Sequence, residues 1–249
     1  MKQIGIFTAT RWEFNVIRRI IPADPQSHLD GYRAFIGGQG ACRVVVIQTG
    51  VGPNKALAVS RDVLRTLPVD LVVSSGFACA LTASSIGDLL IGTDVIMDQS
   101  PDSLQRGMMG LACAQGPSAA AVRAARDAGI AARTGRFVTV PRVLWRAEEK
   151  REIAGRTGAI GLDMESAAVG AVAAERKIPF VIFRAVSDLL NEDLPLDFNL
   201  FLRPSGWAKG MIRLARPSKL IELKRFRAQT ALASERMSTF FERFLNDLA

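Results

Sequence analysis

The chain has 249 residues, of which 49% are hydrophobic, and a formal net charge of +8, enough apolar material to bury the core of one α/β domain at the upper end of the usual size range. No run of about 18 uncharged apolar residues occurs, and Met1-Lys2-Gln3 leads directly into a strand-like segment, so the expectation is a cytoplasmic protein with neither a signal peptide nor a membrane span. Cys42, Cys79 and Cys113 are scattered without CxxC spacing and the one histidine, His28, lies in a Pro/Asp-rich loop, which argues against structural zinc and against a Ser-His-Asp triad.

In chain order, residues 3–8 form a short apolar run, the pattern of a strand buried on both faces. The loop through Glu13 leads into a helical pattern over residues 14–21, and the carboxyl end of such a strand is where open α/β sheets place ligands. Glu13 is therefore either a ligand-facing carboxylate or an ordinary first-turn acid favoured by the helix dipole. A hairpin of residues 32–36 and 43–49, joined through Gly37-Gly38-Gln39-Gly40, comes next. Gly50-Val-Gly-Pro-Asn-Lys55 opens a helix to about residue 65. Its backbone N–H groups suit a phosphate or a sugar edge, or the segment is a tight turn with Pro53 near the helix start. The dinucleotide fingerprint lacks its third glycine.

Residues 71–75 read as a buried strand and residues 76–81, from Gly76, Phe77 and Ala78 onward, as a loop of small residues around one aromatic. Small residues admit a flat ligand or simply close packing. Residues 86–97 supply another strand, 98–117 a mobile surface excursion, 118–128 an Ala/Arg helix, and 134–140 a strand interrupted by Pro141. Residues 147–156 read as a charged, solvent-facing helix.

The most informative stretch is 161–195: strand 159–163, helix 164–177 and strand 180–185 place Glu165 where the helix begins and Asp188 just past the strand. Both carboxylates then open on the same sheet edge, although an aspartate there also serves as a turn or N-cap residue. The Ala-rich helix over 167–174 suits close packing between the sheet and a partner. Alternating strands and helices predict a single-domain, three-layer α/β/α fold with a mixed, mostly parallel central sheet. Amphipathic segments 207–214 and 220–248 close the chain. The basic surplus in residues 123–156 and 203–227 raises nucleic acid or an anionic membrane surface as partners, but without aromatic-basic interleaving no nucleic-acid partner is expected.

Glu13, Ser75-Gly76-Phe77-Ala78, Met164-Glu165 and Ser187-Asp188, in this order and spacing, resemble the nucleoside phosphorylase and nucleosidase superfamily over roughly residues 3–202. The resemblance implies a phosphorylase/hydrolase-like fold, no metal or cofactor, and cleavage of the N-glycosidic bond of a purine nucleoside with water or phosphate as acceptor. It implies that Glu165 holds ribose hydroxyls with Met164 against the sugar. It further implies that Asp188, beside Ser187, protonates the purine at N7, and that Glu13 activates water as in the methylthioadenosine/adenosylhomocysteine nucleosidase branch. Gly76, Phe77 and Ala78 would line the site, and Val143 and Leu144 would lie against the base with backbone groups paired to it, although Pro141 and Arg142 depart from the usual segment. The chemistry agrees: breaking a ribosyl C–N bond develops an oxocarbenium-like sugar and negative charge on the base, which a carboxylate and an acid stabilise in turn. A dry pocket with nearby negative charge, closed by Leu189, Leu190 and Phe77, would keep Asp188 able to act as an acid. Arg11, Lys55 and Arg184 are the candidates for a phosphate acceptor, whereas Glu13 favours hydrolysis.

Residues 201–220, overlapping a basic amphipathic insertion at about 203–227, are similar to the hopanoid-associated phosphorylase-like branch. That likeness implies adenosylhopane as substrate, with adenine and ribosylhopane as products, and a basic segment resting peripherally on lipid headgroups at the inner face of the membrane. The family also implies a homodimer through the Ala-rich and early-helix surfaces. The competing class is a non-catalytic protein that binds a nucleoside or nucleic acid.

Overall fold

The structure, a computed structural model, describes residues 2–23, 31–98, 110–202 and 217–248. Its strands follow from unbroken apolar runs whose side chains alternate between two faces. The elements are β1 (Lys2–Thr8), α1 (Arg11–Arg18), β2 (Ala34–Gln39), β3 (Cys42–Gln48), α2 (Pro53–Thr66), β4 (Leu71–Ala80), β5 (Leu89–Met97), β6 (Leu111–Ala112), α3 (Gln115–Asp127), β7 (Ala132–Thr139), α4 (Ala147–Thr157), β8 (Gly161–Asp163), α5 (Ser166–Glu175), β9 (Phe180–Asp188), α6 (Asn199–Leu202) and α7 (Pro217–Asp247). The sheet order is β2-β3-β1-β4-β8-β7-β5-β6, and β9 pairs with both β4 and β5. The β1–β3, β1–β4, β4–β9, β5–β7 and β7–β8 pairs are parallel. The β2–β3, β4–β8, β5–β6 and β5–β9 pairs are antiparallel, so the sheet is mixed, with its parallel pairs in the majority.

The alternation sorts the core into two layers. Ile4, Ile6, Val44, Val73 and Phe183 face α1, α3 and α7, while Phe7, Val45, Val72, Ile182 and Val186 face α2 and α5. From α7 come Phe240, Phe241 and Phe244, whose ring centroids stand 5.3, 6.2 and 4.8 Å from that of Phe183. Each such buried side chain contributes on the order of 2 kcal/mol of apolar transfer free energy. On the opposite face, a Cβ added at Gly170 would lie 2.8 Å from Phe180 Cε1, so glycine sets how closely α5 approaches the sheet. A third cluster, with Val138, Ile153, Leu162 and Met164, gathers beside α4.

Several expectations need correcting. Residues 76–80 are not a loop but the second half of β4; pairing with β9 overrides the low strand preference of small residues. Gly37, Gly38 and Gln39 belong to β2, which leaves a shorter hairpin turn. The helix after Glu165 begins at Ser166, and Asp188 is the last residue of β9 instead of lying beyond it. The described part of the 98–117 excursion contains β6 and the start of α3. Helix α4 is not wholly solvent-facing, because Lys150 and Ile153 are buried. The amphipathic segment 207–214 and the larger part of the basic insertion lie outside the described residues.

Candidate active site

The site begins where β1 hands over to α1. Thr10 caps the helix, its hydroxyl accepting the Glu13 N–H at 3.2 Å, and Glu13 returns the contact as a capping box. Glu13 Oε2 accepts from Ala9 N at 3.1 Å, Thr10 N at 2.8 Å and Thr10 Oγ1 at 2.9 Å, while Oε1 accepts from Phe77 N at 2.8 Å. Glu13 therefore caps α1, and its side chain also lines a cavity. Oε2 takes three of these donors and Oε1 one, so with about two acceptor positions on each oxygen the room for a further donor is on Oε1.

The carboxylate reaches β4 because residue 76 is glycine. Gly76 has φ +151°, and a Cβ there would meet Glu13 Oε1 at 2.1 Å and Arg184 Nη1 at 2.5 Å. Arg184, on β9, is 1% exposed. Its Nη2 stands 3.0 Å from Asp163 Oδ2 and donates to Ser74 Oγ at 2.9 Å and Ser166 Oγ at 3.0 Å. Asp163 Oδ1 accepts from Thr139 Oγ1 at 2.7 Å and from the N–H groups of Glu165 and Ser166 at 3.2 and 3.1 Å, which satisfies donors at the start of α5.

Glu165 is held at that helix start and accepts the Gly52 N–H at 2.8 Å. The glycine turn before α2 thus directs a backbone donor at a carboxylate of the protein itself. Burial pushes the Glu165 carboxyl up to about 8; Arg184 opposes the rise, and Asp163 and Glu13 add to it.

Asp188 is aimed by an irregularity in the sheet. Ala78 pairs with Val186 but Cys79 pairs with Asp188, so Ser187 is the extra residue of a bulge, a device common beside active sites. Ser187 Oγ lies 3.0 Å from Asp188 Oδ1 and 3.4 Å from Ala78 O. Negative charge was expected around Asp188. Instead, Lys150 Nζ stands 2.7 Å from Asp188 Oδ2 and also donates to Leu189 O at 3.3 Å and Glu192 O at 2.9 Å. Burial, the largest single influence, depresses the Lys150 ammonium, but Asp188 and Cys79 together outweigh it and the net direction is upward. Burial, reinforced by Asp188, pushes the neighbouring Cys79 thiol well up.

One cavity of about 180 Å³ gathers Glu13, Phe77, Ala78, Val143, Leu144, Met164, Glu165, Ser187 and Asp188, with Leu194 in the place expected of Leu189 and Leu190. Gly76 stands behind Glu13 instead of on the wall. The Val143 backbone is not left for a ligand: its N–H donates to Asn199 Oδ1 at 2.9 Å and its carbonyl accepts from Asn199 Nδ2 at 2.8 Å. A second cavity of about 650 Å³ adjoins through Val51 and Met164 and is lined mainly by apolar residues, among them Leu57, Met97, Pro141 and Ala171. The phosphate candidates do not converge: Arg184 is enclosed with Asp163, while Arg11 and Lys55 are exposed on the first turns of α1 and α2. Among the described residues, no group of three or more His, Cys, Asp or Glu side chains could hold a metal ion.

Sequence reasoning missed Lys150 and the bracing role of Asp163. Lys150 carried a signal: with Ala147, Ile153 and Thr157 it lies on the buried stripe of α4 at helical spacing.

An α/β/α sheet carrying buried carboxylates around a cavity at its strand ends has the phosphorylase/hydrolase-like architecture. The chain belongs to the Phosphorylase superfamily, whose model matches residues 3–215. A 5′-methylthioadenosine/S-adenosylhomocysteine nucleosidase of Shewanella denitrificans is 28% identical over 225 residues, covering 86% of this chain and 97% of that protein. The same kind of nucleosidase from Neisseria meningitidis, solved with methylthio-immucillin-A, superposes with a TM-score of 0.77 at 22% identity over 99% of each chain. Futalosine hydrolase of Helicobacter pylori superposes with a TM-score of 0.71 at 21% identity, covering 86% of this chain and 98% of that one.

Proposed function

We propose that the protein is a purine nucleosidase that cleaves the N-glycosidic bond of an adenine nucleoside with water. The observation that carries this reading is the meeting of Glu13, Glu165 and Asp188 around one cavity. Glu165 accepts ribose hydroxyls with Met164 against the sugar, Asp188 beside Ser187 protonates N7 as the base leaves, and Glu13 takes a proton from the attacking water through Oε1. Phe77, Ala78, Val143 and Leu144 enclose the base. With Val143 tied to Asn199, base pairing falls to the Leu144 backbone. Water is favoured over phosphate because Arg184 is already enclosed with Asp163, and a hydrolase needs only a base on that face. The relatives named as nucleosidases support the same choice.

The substrate within this class is adenosylhopane, giving adenine and ribosylhopane. The large apolar cavity beside Met164 supports a bulky apolar group on C5′. The enzyme works as a homodimer at the inner face of the membrane, its basic segment on anionic lipid; among the described residues no helix is long and apolar enough to cross a membrane.

A panel of adenine nucleosides differing at C5′, assayed for free adenine with and without phosphate, tests the reading. The expected result is phosphate-independent release, fastest with the large apolar substituent. Strict dependence on phosphate with formation of ribose 1-phosphate would overturn hydrolysis. Co-sedimentation with anionic liposomes, comparing wild type with a variant in which Lys209, Arg213 and Arg216 are changed to Glu, tests the membrane contact. Equal, negligible binding by both would remove it.

A further inference from the structure

Lys150 is fully buried on a helix whose other charged residues are exposed or only half-buried. An ammonium taken out of water is costly unless its protons are accepted, and all three are: by Asp188 Oδ2, Leu189 O and Glu192 O. Packing α4 onto its neighbours does not need a charge there. The other buried members of the stripe, Ala147, Ile153 and Thr157, carry none. Two of the three acceptors are carbonyls of the turn that follows Asp188, so one ammonium fixes both the carboxylate and the backbone leading away from it.

We propose that Lys150 is a positioning residue for the acid: it holds Asp188 Oδ2 in place and stabilises the carboxylate left once the proton has moved to the departing base. The assignment rests on the nucleosidase reading. As the C1′–N9 bond breaks, its electron pair goes to the purine. The O–H bond on Asp188 Oδ1, the oxygen not held by Lys150, breaks and an N7–H bond forms. Water adds its oxygen to C1′ and gives a proton to Glu13. Negative charge then resides on Asp188, 2.7 Å from a cation already in place, and no reorganisation is needed at the moment of reaction.

The test compares wild type with Lys150→Met and Lys150→Gln on two substrates sharing one C5′ group. One is the adenine nucleoside that wild type cleaves best, and the other is the 4-nitrophenyl riboside, whose leaving group departs without a proton. A positioned acid is worth about 10²–10⁴-fold, so kcat/KM on the adenine nucleoside should fall at least about 100-fold in Lys150→Met, against less than about tenfold on the nitrophenyl riboside. Affinity for adenine, measured by calorimetry, should change little while kcat falls. Equal loss on both substrates would reduce Lys150 to a brace of the fold and overturn the proposal. If the methionine variant does not fold, the same comparison in Lys150→Gln decides. If wild type ignores the nitrophenyl riboside, the split between kcat and adenine affinity decides. A folded wild type that releases adenine from no nucleoside overturns the nucleosidase reading and the proposal together, whereas an active wild type with an unchanged substrate ratio in the variants overturns Lys150 alone.

Discussion

No side chain can stand between Gly76 and Glu13: a Cβ on the glycine would lie 2.1 Å from the Glu13 carboxylate oxygen, at a φ of +151° that L-residues rarely adopt. Gly76→Ala is therefore expected to lose roughly 1–3 kcal/mol from backbone strain alone and to displace Glu13, with turnover falling further than stability. Urea midpoints and adenine release measured on the same preparation check both effects.

Asp188→Asn removes the carboxyl proposed as the acid but keeps the shape. Adenine release should fall about 10²–10⁴-fold, while calorimetry still detects adenine binding. The Lys150 ammonium, 2.7 Å away with a side chain 0% exposed, is left with a neutral amide in place of its carboxyl acceptor, so the melting temperature should fall as well.

The Glu165 carboxyl stands at about 8 in the folded chain against an ordinary 4.5. Between those values the folded state binds more protons than the unfolded one. Stability from this group is thus fully present below about 4.5 and is lost as pH rises towards and through 8, at no more than about 1.4 kcal/mol per pH unit. Denaturant unfolding at a series of pH values across this window should show the decline, and Glu165→Gln should flatten it. A slope unchanged in the glutamine variant would assign the dependence to another group.

Arg184→Met should be among the most damaging core substitutions. The Arg184–Asp163 pair is 1% exposed on both sides, and breaking a buried pair from one side costs roughly 3–5 kcal/mol. Adding Asp163→Asn to the methionine variant should recover part of the loss, and a double-mutant cycle in urea measures how much.

The acidic residues were legible in the sequence because strand-to-helix junctions announce themselves: Met164-Glu165 precedes an Ala-rich helix and Ser187-Asp188 ends an apolar run. Glu13 was legible as a first-turn acid, and the structure makes it a cap and a pocket wall together. Three features were hidden for physical reasons. Residues 76–80 are small, which lowers intrinsic strand preference, and only the pairing with β9 reveals them as strand. Lys150 looked solvated because charge outweighs position in a helix rich in Glu and Arg, and its acceptors lie 38 to 42 residues away. Asn199 closes on the Val143 backbone across 56 residues, beyond the reach of any local pattern.

β9 is the last strand in sequence, yet it pairs with both β4 and β5 instead of lying at an edge. Until it arrives, Asp163 lacks the Arg184 guanidinium that lies 3.0 Å from it, and Asp188 is absent from the cavity that Glu13 and Glu165 line. The site therefore waits on the last strand to be made, which supplies both Arg184 and Asp188. Long-range pairing of this kind slows folding, so activity should return on refolding no earlier than β9 pairs with β4 and β5.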